Sequence, residues 1–147
     1  HKYIAFGEQA TKEGFDVVAR LFRAASRAEA IHAAAHLRAM DAVKSTAENL
    51  QTAFDGETYE YTQMYPPMIE AAAAEKHRAE SSFRFAAAAE ERHAALYHQA
   101  LAAVKEGKDL AAGDVFLCPV CGNILLVRPA EKCEICGAPP EKFVTVP

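Results

Sequence analysis

Apolar residues recur every three or four positions through the first hundred residues, which is the period of one helix face. This pattern predicts helices at about 1–12, 15–40, from 46 onward, and 78–105. Pro66 and Pro67 fall inside the third helix, where we expect a kink rather than an end. Beyond Gly107, frequent Pro and Gly predict a linker at 108–113 and then a small module of loops and strands.

Composition narrows the class of protein. The helical part is rich in Ala and poor in Gly, which favours helix. The net charge of −4 offers no basic patch for nucleic acid, and no apolar run approaches the roughly 20 residues that span a membrane. All four cysteines lie in two Cys-x-x-Cys pairs near the end, which indicates metal binding in a reducing, cytoplasmic setting rather than disulfides.

Two Glu-x-x-His motifs, Glu29/His32 and Glu90/His93, are the first candidate chemistry. Residues three apart share one helix face, so each pair directs a carboxylate and an imidazole to the same place. Helical bundles that bind two metal ions take one such motif from each of two helices and one Glu from each of the other two.

The motifs belong to an internal repeat. A shift of 61 residues places Phe22 on Phe83 and keeps the match through Ala34 and Ala95, which predicts two similar helix pairs. The counterpart of Glu57 would lie at position −4, so we expect that the first helix is truncated in this sequence. Glu8 is a poor substitute, because it would lie about 120° around the helix from that position.

We predict that six residues form a dinuclear metal site. Each alone would more often be a solvated surface residue, but together they fall on the apolar stripes of the helices. Burying several carboxylates without a cation would cost many kcal/mol. Carboxylate and imidazole suit iron or manganese, and zinc stays open. The set is Glu29, His32, Glu57, Glu60, Glu90 and His93.

The cysteine pairs predict a second metal site. Cys118, Cys121, Cys133 and Cys136 can surround one ion with four thiolates, as iron and zinc both accept. A zinc ion would make the module a structural ribbon, whereas an iron ion would make it a one-electron carrier.

The short link between the second and third helices predicts a dimer. A single-chain bundle would need a crossover of about 28 Å, but six residue steps reach only about 20 Å. We therefore expect helix two to run nearly straight into helix three, and a second chain to complete each bundle as a domain-swapped homodimer.

At this point the chain resembles the rubrerythrins. The resemblance lies in ETYEYTQMYP at 57–66, in the two Glu-x-x-His motifs and in CEICGAPPEKF at 133–143. It implies a mainly α fold: a ferritin-like four-helix bundle at 1–107, followed by a rubredoxin-like four-cysteine domain at 113–147.

The resemblance also implies roles for the site residues. Glu29, Glu57, Glu60, Glu90 and His93 would bind two iron ions, and His32 would exchange with a carboxylate as one iron changes oxidation state. Tyr3 and Tyr65 would lie beside this site, although from the residues alone they could equally be core aromatics. Cys118, Cys121, Cys133 and Cys136 would bind a single iron.

The implied activity is the reduction of hydrogen peroxide to water, which protects cells adapted to little oxygen. No Gly-rich dinucleotide fingerprint occurs, so an external NAD(P)H-linked reductase or a rubredoxin would supply the electrons. One rival is a ferroxidase or iron-binding ferritin relative, which would not need the four-cysteine module. Another is a non-redox helical scaffold with a zinc ribbon.

Overall fold

The computed structural model describes residues 1–111 and 113–147. The chain divides into two compact units, His1–Lys44 and Ser45–Pro147. The predicted linker at 108–113 includes position 112, which lies outside the described residues.

The first unit is a helical hairpin of α1 (Lys2–Lys12) and α2 (Asp16–Ala39), as the apolar pattern predicts. The helices approach closely at Gly7, where a Cβ atom would lie 3.3 Å from the Ala19 carbonyl oxygen. The turn between them passes through Gly14, whose positive φ of 82° suits glycine.

The hairpin leaves most of its large apolar side chains exposed. Its buried residues are only Gly7, Ala10 and Ala19. By contrast, the exposed apolar residues of this unit are Ile4, Phe6, Phe15, Val17, Val18, Leu21, Ile31, Leu37, Met40 and Val43. The apolar stripe that predicted these helices is therefore not covered within the hairpin.

The second unit begins with three helical elements. Helix α3 (Thr46–Tyr59) is capped by the box of Ser45 and Glu48 that the sequence predicts. A π-helical segment, Glu60–Met64, leads into α4 (Tyr65–Ala74), and α5 (Ala79–Lys105) packs against both α3 and α4.

The helix continues through Pro66 and Pro67 rather than ending there, as predicted, whereas the expected kink at the prolines stays a prediction; the π-helical segment lies just before them. Pro66 and Pro67 have no backbone N–H, and a proline ring clashes with the carbonyl four residues earlier. The helix accommodates the two prolines just upstream, where the Tyr65 N–H bonds to the Glu60 carbonyl five residues back. Such π turns are frequent at functional sites, and this one begins at a predicted ligand.

The chain ends in a small module of strands and loops, as predicted. Strands β1 (Val115–Leu117), β2 (Ile124–Leu125) and β3 (Val144–Val146) form an antiparallel sheet in the order β2–β1–β3. A 3₁₀ turn, Pro140–Lys142, precedes β3. The core of the module consists of Phe116, Cys118, Cys133, Ala138 and Phe143, so two cysteines are part of the core itself.

The fold is mainly helical with a small four-cysteine module, which confirms the predicted fold class. None of the helices in the described ranges is long and apolar enough to cross a membrane.

Candidate metal centres

Helices α3 and α5 bring together Glu57, Glu90 and His93. One ligand atom from each lies within 4.8 Å of the others. His93 Nδ1 is 2.6 Å from Glu90 Oε2 and 3.9 Å from Glu57 Oε1. The three side chains are only 14–21% exposed, so they form a largely buried polar cluster.

The electrostatics of this cluster favour a bound cation. Burial first, and then the negative charges of Glu90 and Glu60, raise the pKa of Glu57 from 4.5 to about 7, against the lowering effect of His93. Two carboxylates are thus held together where at least one resists ionisation. A divalent cation would remove that cost, and two carboxylates with an imidazole are a donor set that iron accepts. The residues fit an iron site.

Two tyrosines border the cluster. Burial, and then the charges of Glu90, Glu60 and Glu57, raise the pKa of Tyr65. Burial, Glu57 and Glu90 likewise raise the pKa of Tyr97. Both hydroxyls therefore stay protonated and can donate hydrogen bonds toward the carboxylates. Tyr97 was not among the predicted site residues; its spacing, four residues after His93, was the available signal.

Glu60 is close to this cluster without being part of the tight group. It is half-buried at the start of the π-helical segment, and its charge contributes to the raised pKa values of Glu57 and Tyr65. Its assignment as a ligand stays a prediction.

The remaining predicted site residues lie in the first unit. Glu29 and His32 lie on α2 with side chains 64% and 62% exposed, and His32 Nδ1 is 3.7 Å from Glu29 Oε2. Tyr3 stacks on Phe22 within the hairpin, with ring centroids 6.2 Å apart. The structure shows Glu29 and His32 as a pair on one helix face, and their role as ligands stays a prediction.

The four cysteines form the second site, as predicted. Their sulfur atoms all lie within 4.8 Å of one another, and the Cys118–Cys136 and Cys121–Cys133 pairs are each 3.6 Å apart. A tetrahedron with metal–sulfur bonds of about 2.3 Å has edges of about 3.8 Å. The thiols are free rather than disulfide-bonded, so the geometry fits one tetrahedral ion.

Hydrogen bonds prepare these sulfurs for a metal. Although burial raises the pKa of Cys133, bonds from the backbone of Cys136 and Ile135 lower it to about 7. The thiolate is the form that binds a metal. Burial raises the pKa of Cys121, whose proton would be displaced on metal binding.

A direct contact joins the two sites. His93 Nε2 lies 2.9 Å from the carbonyl oxygen of Gly122, the residue after Cys121. Because a carbonyl only accepts hydrogen bonds, this nitrogen carries the proton, and Nδ1, which faces Glu90 and Glu57, is the atom that would bind a metal. Nearby, Arg92 Nη2 lies 2.9 Å from Glu134 Oε2 in the second cysteine loop. No local pattern predicts either contact, because the partners are 29 and 42 residues apart in the chain.

Comparisons with known proteins agree with these sites. A family model described as Rubrerythrin matches residues 1–101. Rubrerythrin-2 of Clostridium acetobutylicum is 37% identical over 97% of this chain and 85% of its own length. Nigerythrin of Nitratidesulfovibrio vulgaris is 35% identical over 97% of this chain and 76% of its own length.

Solved structures give the same result. A structure of nigerythrin in a mixed-valence state is 33% identical and covers 99% of this chain and 78% of its own, with a TM-score of 0.62. A structure of partially reduced nigerythrin matches with the same identity and coverage and a TM-score of 0.61. These matches and the two clusters support a diiron centre at the carboxylate–histidine site, a four-cysteine iron centre and an iron-binding redox role. The chain belongs to the rubrerythrin family.

Proposed function

We propose that this protein is a non-haem diiron peroxidase that reduces hydrogen peroxide to water, with electrons relayed through the four-cysteine iron centre. The observation that carries the proposal is the 2.9 Å contact between His93, at one site, and Gly122, at the edge of the other. A ferroxidase has no need of such a connection. Iron held by Glu57, Glu90 and His93 would supply the two electrons that reduce peroxide, and iron held by the four cysteines would return electrons one at a time.

The protein's own residues hold the site and manage its protons. Reduction of one peroxide to two waters consumes two protons as well as two electrons. The hydroxyls of Tyr65 and Tyr97 stay protonated beside the carboxylates and can orient a small polar substrate. Glu57, whose pKa is raised to about 7 in the metal-free chain, would give up its proton on binding a metal and then serve as a ligand.

We propose that all of the predicted ligands take part in the diiron site. Glu29, Glu57, Glu60, Glu90 and His93 bind the two irons, with His32 exchanging against a carboxylate. Tyr3 and Tyr65 border the site. The bundle domain extends over 1–107 and the rubredoxin-like domain over 113–147.

A second copy of the chain completes the bundle. The hairpin presents Glu29 and His32 on an exposed surface together with its uncovered apolar side chains. For one chain to build the whole bundle, the link from Ala39 to Thr46 would have to span about 27 Å. Its seven steps reach only about 25 Å when extended, and the bond from the Ala42 N–H to the Leu37 carbonyl folds its first part into a turn. We therefore propose a domain-swapped homodimer.

The electrons come from outside the protein. The sequence has no dinucleotide fingerprint, so we propose an external NAD(P)H-linked reductase or a rubredoxin as the donor. Four free thiols that must stay reduced support a cytoplasmic location.

Anaerobic stopped-flow spectroscopy tests the activity. The fully reduced, iron-loaded protein is mixed with hydrogen peroxide or with dioxygen at equal concentration, and oxidation of the diiron centre is followed optically. We expect the reaction with peroxide to be much faster. A matched Cys121→Ser variant should keep the fast first oxidation but lose re-reduction through the module. Equal or faster oxidation by dioxygen would instead favour a ferroxidase.

A further inference from the structure

Asn123 is the most deeply buried polar residue in the described part of the chain, and it lies beside the four cysteines. Its side chain is 1% exposed, and its Oδ1 atom has no hydrogen-bond partner. Its Nδ2 atom lies 3.8 Å from Cys133 Sγ. Leaving the oxygen of a buried amide unpaired destabilises the fold, so its presence needs a compensating role.

The two cysteine loops are near copies that differ at this position. The Cys118 N–H bonds to the Asn123 carbonyl at 2.8 Å, and the Cys133 N–H bonds to the Ala138 carbonyl at the same distance. Gly122 and Gly137 follow the second cysteine of each loop with φ of 84° and 73°.

The backbones of the two loops also act alike on the sulfurs. The backbone of Asn123 hydrogen-bonds to the Cys121 sulfur, and that of Ala138 to the Cys136 sulfur. Backbone geometry therefore needs no amide side chain at this position, because alanine serves equally well in the second loop. The Asn123 side chain adds something that the second loop lacks.

The added contact crosses between the loops. Asn123 follows Cys121 in the first loop, but its side chain reaches Cys133, the first cysteine of the second. A metal-bound thiolate can only accept a hydrogen bond, so the amide must present its N–H₂ group rather than its oxygen to that sulfur. This orientation is the one observed, and it leaves Oδ1 as the unpaired atom.

We propose that Asn123 is a positioning residue for the four-cysteine iron, resting on the proposed function: its side chain donates an N–H···S hydrogen bond to Cys133 and raises the reduction potential of the bound ion. Reduction adds one negative charge to the four-sulfur centre. A donor aimed at a sulfur stabilises the more negative state more strongly, and a dry setting strengthens the effect.

The first test observes the bond itself. The full chain, labelled with ¹⁵N, is loaded with ¹¹³Cd at the four-cysteine site, and the side-chain amide of Asn123 is followed by NMR. We expect a scalar coupling between an Asn123 amide proton and the cadmium nucleus, transmitted through the Cys133 sulfur. No such coupling for that proton would overturn the proposal. Because cadmium takes part in no redox step, this result is independent of peroxidase activity.

The second test measures the potential. Asn123→Leu keeps a similar volume and removes the donor. In spectroelectrochemical titrations of the iron-loaded full chain, we expect it to disfavour reduction by about tenfold, which is 59 mV for one electron. Ala138→Ser, at the equivalent position of the second loop, is the matched control and should shift the equilibrium much less. An unchanged potential in Asn123→Leu, or an equal shift in both variants, would overturn the proposal.

Discussion

The two Glu-x-x-His motifs have the same spacing and similar Ala-rich surroundings, yet they lie in different environments. Glu90 and His93 are 17% and 14% exposed, whereas Glu29 and His32 are 64% and 62% exposed. Around the second motif, Glu90 and His93, α3 supplies Glu57 and the cysteine module supplies the Gly122 carbonyl. The motif therefore fixes which helix face carries the ligands, and packing decides whether that face becomes a site.

The residue before each histidine sharpens the contrast. Ile31 precedes His32 and is 66% exposed, whereas Arg92 precedes His93 and pairs with Glu134 of the cysteine module. An exposed isoleucine suits an apolar partner, and an arginine suits the carboxylate that it meets. The residue before the second histidine therefore contacts the cysteine module, whereas the residue before the first is exposed.

The largest effect is expected in heterodimers of two variants, each of which has lost a different one of the two Glu-x-x-His motifs. One variant carries Glu29→Gln and His32→Ala, and the other carries Glu90→Gln and His93→Ala. In a swapped heterodimer, both damaged halves meet at one site and both intact halves meet at the other. We expect about half of the wild-type diiron content and peroxidase activity in heterodimers purified with two tags.

Each variant alone is the control and should have neither. Without swapping, every site in the heterodimer would contain one damaged half. Heterodimers as inactive as the homodimers would therefore contradict the swapped arrangement.

The next largest effect is on how the free energy of unfolding depends on pH. Burial, and then the charge of Glu90, raise the pKa of Glu57 from 4.5 to about 7. Between pH 4.5 and pH 7, the folded metal-free chain therefore keeps a proton on Glu57 that the unfolded chain has released. Its free energy of unfolding should therefore fall as pH rises from about 4.5 to about 7, by at most about 3 kcal/mol. Urea unfolding of chelator-treated protein, followed by helical circular dichroism, measures this slope.

Glu57→Gln should flatten this slope, because the amide does not titrate. Bound metal should reverse it, since metal binding requires the carboxylate and strengthens as protons leave. A slope that is unchanged in Glu57→Gln would assign it to another group.

A smaller effect is expected on hydrogen exchange in the first cysteine loop, where His93 and His32 should differ. His93→Ala removes the bond to the Gly122 carbonyl, which is worth about 1 kcal/mol. We expect hydrogen exchange in the first cysteine loop, measured with zinc in the four-cysteine site, to accelerate roughly fivefold. His32→Ala is the matched control from the exposed copy and should leave that loop unchanged. Equal protection in both variants would show that the contact does not hold the loop.

The smallest effect concerns Arg92 and Glu134, whose side chains are 54% and 52% exposed. Exposed ion pairs contribute about 0–1 kcal/mol. Arg92→Glu should therefore destabilise the metal-loaded protein only slightly, and the exchanged pair Arg92→Glu with Glu134→Arg should recover the loss. Urea unfolding at low and high salt measures both, and the difference should shrink at high salt. Failure of the exchanged pair to recover stability would argue against the pairing.

Local patterns predicted much of the fold and part of the site. Helical periodicity and alanine content gave α2 and α5 to within a residue or two of their observed ends. The spacing of the cysteines predicted a four-sulfur site, because each Cys-x-x-Cys-Gly turn is a local structure. Other features depend on packing. The position of Tyr97 among the carboxylates, for example, follows from how α3 and α5 meet.

The sequence by itself determined the helices, the faces that carry Glu29, His32, Glu90 and His93, and the grouping of the four cysteines, since each depends on residues close together in the chain. Only the tertiary structure decided that one Glu-x-x-His pair is buried beside Glu57 while the other is exposed. It also decided that His93 meets Gly122 and that Asn123 reaches Cys133. These contacts join separate segments, and they arise from packing that no local pattern specifies.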